Sequence, residues 1–558
     1  VLRHVPLVTL VVMIGPVVAG LWGALIPALG HLPGAGLTGP SFEAIRALFD
    51  WPGLERALRL SVSTGVLATV LTLLIVVLVT AGWSGTRTFA LLQRVLAPIL
   101  SVPHAAAAFG VAFLIAPSGW LARLASPWLT GWDRPPDLLI IQDPAGLAMT
   151  AGLVTKEVPF LLLMTLAALG QVQQEQRLKT ARTLGYDRVT GWLKCVFPAV
   201  YRQIRLPVYV VLAYSMSVVD VAMILGPTRP PSLSVQIVKW MGDPDLSMRL
   251  VAAAGALLQL ALVIGALGFW RLGEIGFAWL GRIWIEAGQR GGLDPVLRIG
   301  GICMGILSAM ATLLALLGLF VWSISGFWGF PNAFPEGFTL RNWERHGPGT
   351  LEAAAETFLV AGAATGLALV LVLGCLEAEH RSGRTLTTRG LWLLYLPLLV
   401  PQTAFLPGLQ NLLLSVGADV GRGPVILAHL VFVLPYVFLS LGDSWRAWDP
   451  RNAVVAGTLG AAPWRVFWQV RLPMLLRPIL TAVAVGMAVS VGQYLPTLLI
   501  GGGRVATLTT EAVALASGGD RRAIGVYSLM QTLAALLPFA LAILVPAMAW
   551  RNRRGLHV

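Results

Sequence analysis

Long apolar runs separated by short polar stretches follow one another along the whole chain. The runs fall at Val5–Leu29, Leu60–Trp83, Val95–Ala116, Ala145–Leu169, Ile204–Gly226 and Val251–Trp270. They recur at Ile299–Ser325, Thr350–Leu376, Gly390–Val416, Pro424–Leu441, Met474–Ile500 and Ala523–Trp550. A helix needs about 20 apolar residues to cross a bilayer. Backbone groups in lipid must bond within their own segment, so such runs mean helices. The pattern predicts an all-α polytopic membrane protein of about twelve transmembrane helices. Val5–Leu29 is longer than the roughly 7–15 residues of a signal-peptide core and reads as an uncleaved first span.

The order of runs repeats, and so does one polar loop. Lys179–Pro198 reads KTARTLGYDRVTGWLKCVFP, and Val454–Pro473 reads VVAGTLGAAPWRVFWQVRLP. A shift of 275 positions lays Ala181 on Ala456, Thr183 on Thr458, Leu184 on Leu459, Gly185 on Gly460 and Pro198 on Pro473. Trp192 then falls on Phe467 and Arg202 on Arg477. Each loop, 171–203 and 444–474, stands between the fourth and fifth run of its half. This predicts two pseudo-symmetric halves of six spans, 1–290 and 291–558, with Arg271–Arg298 joining them at the membrane surface. In the second copy Asp449 and Pro450 suit a helix start, Gly460 a left-handed corner, Pro463 a second start and Pro473 its close. Both copies read as helix, glycine corner, short helix.

Ala-x-x-x-Gly with a proline at this distance resembles the "EAA" loop of permease subunits in ATP-binding cassette importers. The leading glutamate of that pattern is Lys179 in one copy and Val454 in the other. The resemblance covers about 60–270 and 350–550, leaving the first span of each half as an extra helix. It is closest to the fused two-half permeases for ferric iron, thiamine and related solutes, which the stretch Gln493–Asp520 is also similar to. It implies that Ala181, Thr183, Leu184, Gly185, Tyr186 and Pro198, with Ala456, Thr458, Leu459, Gly460, Ala461 and Pro473, couple to two cytoplasmic ATPase subunits. It further implies a substrate-binding protein outside, with Pro117–Asp143 and Pro227–Met248 as contacts, a solute path between the halves, and a bacterial inner-membrane location.

Composition narrows the alternatives. Hydrophobic residues make up 56% and charged residues 12%, against about 25% charged in soluble chains. The net charge of +14 is spread through short loops, so it speaks for orientation rather than for nucleic acid. Seven Lys and Arg lie in 171–205 alone, and Arg3, Arg551, Arg553 and Arg554 sit on the same side. The positive-inside rule therefore places both termini and both loops in the cytoplasm. Trp120, Trp128, Trp240, Trp328 and Trp343 suit the outer interface. Cys195, Cys303 and Cys375 form no metal or redox motif. His104 and His429 read as packed, hydrogen-bonded residues.

None of the four lysines sits in a GxxxxGK[ST] loop, so ATP and its magnesium are expected on a separate chain and no cofactor on this one. Ala516–Asp520 reads as a Gly-rich turn. Within the spans, Lys156 and Glu157 are costly at ~2.5–3.5 kcal/mol each and call for an interior or cavity position. Asp220 is the expected partner of Lys156. Gln493 and Tyr494 form the comparable polar break in the second half, and Pro103 and Pro401 are expected kinks. These five polar residues mark a substrate pathway or, equally, structural pairs. The competing function is an ion-driven secondary transporter, which also has twelve spans and two related halves but needs no docking loop.

Overall fold

The computed structural model describes residues 2–549 apart from 34, 35, 38, 384–386 and 419. Arg551, Arg553, Arg554 and the end of the last run at Trp550 lie outside the described residues.

Numbered in order, the principal helices of the first half are α1 (Val5–Ala28), α2 (Leu54–Trp83), α3 (Arg87–Leu100), α4 (His104–Ile115), α5 (Leu147–Gln171), α6 (Gln174–Thr183), α7 (Arg188–Cys195), α8 (Phe197–Ser217), α9 (Asp220–Leu225), α10 (Leu233–Met241) and α11 (Met248–Glu286). The second half supplies α12 (Asp294–Ser323), α13 (Arg341–Ser382), α14 (Thr388–Leu399), α15 (Gln402–Ser415), α16 (Arg422–Arg446), α17 (Arg451–Thr458), α18 (Pro463–Val466), α19 (Leu476–Val491), α20 (Leu495–Gly501), α21 (Leu508–Leu515) and α22 (Arg521–Ala549). The order of these helices is the same twice; the first half adds two short ones, Glu43–Asp50 and Trp120–Ala125.

Among the described residues nine helices are long and apolar enough to cross a membrane, or up to twelve if three bent pairs each count once. Several expected spans are therefore not single helices. The third run is interrupted before Pro103 and the ninth before Pro401. Each proline is extended and opens the following helix, because it has no amide hydrogen to continue the preceding one. The bend between Gly390–Leu399 and α15 is 80°. The fifth run breaks at Val218–Val219 and the eleventh at Gly492–Tyr494.

Broken backbone in a membrane must find other partners, and each half finds them in matching places. Ser234 Oγ donates to the Val218 carbonyl at 2.9 Å and Gln259 Nε2 to that of Met216 at 3.1 Å. In the second half Thr509 Oγ1 donates to the Val491 carbonyl, and Gln531 Nε2 donates to Thr509 at 2.5 Å. These hydroxyls come from α10 and α21. Pro227–Met248, expected as an outer loop, thus holds a largely buried helix, with Thr228, Arg229 and Lys239 exposed along the stretch and 242–247 open to solvent at its end. Arg271–Glu286, expected as a surface connector, instead continues α11, since no proline interrupts it. The connector shortens to 287–293.

The first helix of each half packs on the other half. Gly20 and Gly23 of α1 meet Phe405 and Gly408 of α15 so closely that a Cβ on Gly408 would strike the Gly20 carbonyl. Correspondingly, a Cβ on Gly110 of α4 would lie 2.7 Å from the Ala315 carbonyl of α12. Small residues allow such backbone contact in membranes. One large apolar core takes residues from both halves, including Phe109, Leu153, Leu225, Phe405, Val431 and Tyr494. Two further cores belong mainly to one half each. Trp192, Val196 and Leu161 stand in one, and Trp445, Leu441 and Val466 in the other.

Candidate functional site: two corner loops and a polar centre

Both polar loops fold as helix, corner, helix. Gly185 has φ +79° and Gly460 φ +82°, the left-handed conformation in which glycine carries no Cβ penalty. Gly185 N–H donates to the Arg182 carbonyl at 2.9 Å and Tyr186 N–H to Ala181 at 3.1 Å. Gly460 N–H donates to Gly457 and Ala461 N–H to Ala456, both at 3.0 Å. These are the paired bonds of a Schellman ending, the same in both loops. Ala181 is buried where its methyl meets Gly191, whereas Ala456 is half-buried. Thr183 and Thr458 turn their hydroxyls back to their own helices. Leu184 is 56% and Leu459 83% exposed at the corner tips. Tyr186 and Ala461 are half-buried. Pro198 and Pro473 do not close the short helices as expected; each lies in the first turn of the next helix, where its missing amide hydrogen costs nothing. Asp449 accepts from Arg451 N–H at 2.9 Å, with Pro450 just outside the helix.

The loops occupy the same end of the bundle. α12 starts beside the first, where Trp83 Nε1 donates to the Arg298 carbonyl and Arg188 to that of Ser84. α13 ends beside the second, through Arg471 and Glu377 at 2.7 Å. The far ends of α12 and α13 both meet the start of α22, at Arg521 on Trp322 and Tyr527 on Gly349.

They are held differently. Residues 284–294 strap the first. Asp187 N–H donates to Arg290 O at 2.8 Å, Asp294 Oδ1 accepts from Val189 N–H at 2.5 Å, and Lys194 Nζ reaches the Trp284 and Gln289 carbonyls at 2.9 and 2.8 Å. The second is anchored by Arg471, paired with Glu377 and lying over Trp445 and Trp448. Arg381 shares Glu377 at 2.7 Å. No residue of α17 is buried, and Val454, Val455, Trp464 and Trp468 stay exposed beside Leu459.

The polar centre differs from expectation in one pairing. Lys156 does not meet Asp220. Its Nζ donates to the carbonyls of Ile99 and Leu100 at 3.1 and 3.2 Å; the break at Pro103 removes the amide that would continue the helix onto Ile99, whose carbonyl also accepts from Val102 N–H at 3.2 Å. Glu157 Oε1 lies 3.3 Å from His104 Nε2, and the His104 ring packs 4.9 Å from that of Tyr214. Gln493 accepts from Gln402 at 3.3 Å, and Tyr494 OH points to Met223 Sδ of the other half at 3.6 Å. His429 bonds Ser490 and Thr497 at 2.7 and 2.8 Å. Sequence reading found Tyr494 but missed His104, Gln402 and Tyr214 as part of this centre. Pro-His and Pro-Gln at the two break points were the available signal.

Residues 360–549 match the family of binding-protein-dependent transport system inner membrane components. Over 98% of both chains the protein is 32% identical to the inner membrane ABC transporter permease protein YnjC of Escherichia coli K12. It is 25% identical to the thiamine transport system permease protein ThiP of the same organism, over 75% of each chain. An 80-residue stretch, 14% of this chain and 30% of the relative, is 39% identical to the molybdenum transport system permease protein ModB of Mycobacterium tuberculosis. A full-length relative, a matching family model and a twice-repeated helix order agree: the chain belongs to the fused, inner-membrane permeases of ATP-binding cassette importers.

Proposed function

We propose that this permease forms the solute path of a binding-protein-dependent importer and is driven through α6–α7 and α17–α18 by two separate ATPase subunits. The observation that carries this is the pair of identical glycine corners, 275 residues apart, presented at one end of the bundle. A short helix fixed between two membrane helices acts as a lever, so movement of a docked ATPase passes to α5 and α8, or to α16 and α19. Two levers suit two ATPase subunits in one transporter. The loop end and both termini face the cytoplasm, as the basic residues favour. A substrate-binding protein delivers solute at the other end, near 117–143 and 242–247. Relatives named for thiamine, molybdenum and spermidine transport support a small polar or charged solute.

Co-purification with the partner ATPase tests the coupling. Wild-type protein should retain two ATPase copies. Gly185→Glu with Gly460→Glu, correctly inserted, should retain none. Solute uptake by the wild-type chain alone, driven by an ion gradient, would replace this reading with a secondary transporter.

A further inference from the structure

The polar centre has a sign. Glu157 is 5% and Asp220 6% exposed, and carboxylates at such depth face a partner or a pathway. Glu157 has His104. Among the described residues Asp220 makes no hydrogen bond or ion pair with another side chain; it lies within electrostatic reach of His104, and its carboxylate accepts from the amides that begin its own short helix. The one full cation near by does not neutralise it, because the Lys156 ammonium is spent on the Ile99 and Leu100 carbonyls. Around the acids stand tyrosines. Tyr214 packs on His104, Tyr436 lies within electrostatic reach of Glu157, and Tyr494 within that of Asp220.

The two halves contribute different chemistry at matching positions. Pro159 and Pro435 lie inside α5 and α16 at corresponding places. Aligned on them, Glu157 corresponds to Val433, and Phe160 to Tyr436. By the 275-residue shift Asp220 corresponds to Leu495, and Val219 to Tyr494. The first half thus brings both carboxylates and Tyr214, and the second brings Tyr436 and Tyr494. Carboxylates beside aromatic rings are what a cation with an apolar body needs, since a ring face attracts positive charge once water is removed. The centre also lies where the shared core meets the two separate ones, on the line between the halves.

We propose that the solute carried is a small organic cation, held in transit by Asp220 and Glu157 against the rings of Tyr214, Tyr436 and Tyr494. This assignment rests on the importer reading only for its place in a transport cycle. Binding itself can be measured on the full chain.

The experiment compares benzyltrimethylammonium with benzenesulfonate, which share a ring and differ in charge sign. Saturation-transfer NMR on the purified full-length protein reads their binding, and ATPase co-purification is read separately. The cation should bind saturably and the sulfonate should not compete. Asp220→Asn, which keeps an acceptor for the helix start, should weaken the cation at least tenfold. Tyr436→Phe should retain it and Tyr436→Leu should lose it. Equal or tighter binding of the sulfonate would overturn the proposal, as would cation binding unchanged in both Asp220→Asn and Glu157→Gln. If the cation binds but no ATPase co-purifies, the coupling reading fails and this one stands; the reverse result separates them the other way.

Discussion

Gly460 isolates a backbone requirement from a packing one. A Cβ added there would meet nothing within 4 Å, yet φ is +82°. The cost of replacement is therefore purely conformational, about 1–2 kcal/mol for most residues and less for asparagine, which tolerates this region. Variants should rank glycine, asparagine, alanine, valine in hydrogen-exchange protection over 451–462 and in retained ATPase. A flat ranking would mean the corner does not depend on that conformation. Both corner glycines were legible in the sequence because a left-handed helix ending leaves a residue-level mark, repeated here at a fixed distance. The Lys156 partner was not. A lysine in a span signals a buried acceptor without saying whether that acceptor is a carboxylate or, as here, carbonyls freed by a proline in another helix.

At the scale of elements, the two polar loops present the same corner on different anchors. Replacing Lys194 with Met and Asp294 with Ala removes the bonds to the Trp284 and Gln289 carbonyls and the acceptor for Val189 N–H. Exchange should speed up over 188–195 and stay unchanged over 463–474. Arg471→Met should do the reverse. Its effect is limited by Arg381, which stays paired with Glu377, where stripping a buried charge of every partner costs about 3–5 kcal/mol. Equal loosening of both loops by either change would show that they move as one body. Helix content and the order of spans followed from apolar runs alone. The breaks at Val218 and Gly492 did not, because hydropathy is blind to a backbone interruption whose carbonyls are satisfied from α10 and α21. Ser234 and Thr509, at the same 275-residue shift, were the trace of it.

Across the whole molecule, each half is held by a helix that belongs to the other. α1 lies against α15 and α12 against α4, both through glycine contacts too close for any side chain. The cores make the same division visible, with one shared by both halves and two that each serve a single loop. The crossing helices and the shared core join the halves, so any opening at the loop end would have to pivot on them. That requires α1 to be a structural member of the second half rather than a leader to the first. A protease site placed between residues 33 and 40 tests this directly. After cleavage α1 should remain bound through purification. In a Gly408→Leu background, where the side chain would enter the space of the Gly20 carbonyl, α1 should be released. Gly366→Leu, at a position with nothing within 4 Å, should retain it. Retention of α1 in Gly408→Leu would mean that lipid confinement, not the glycine contact, keeps the helix in place, and the pivot would then have to lie in the shared core alone.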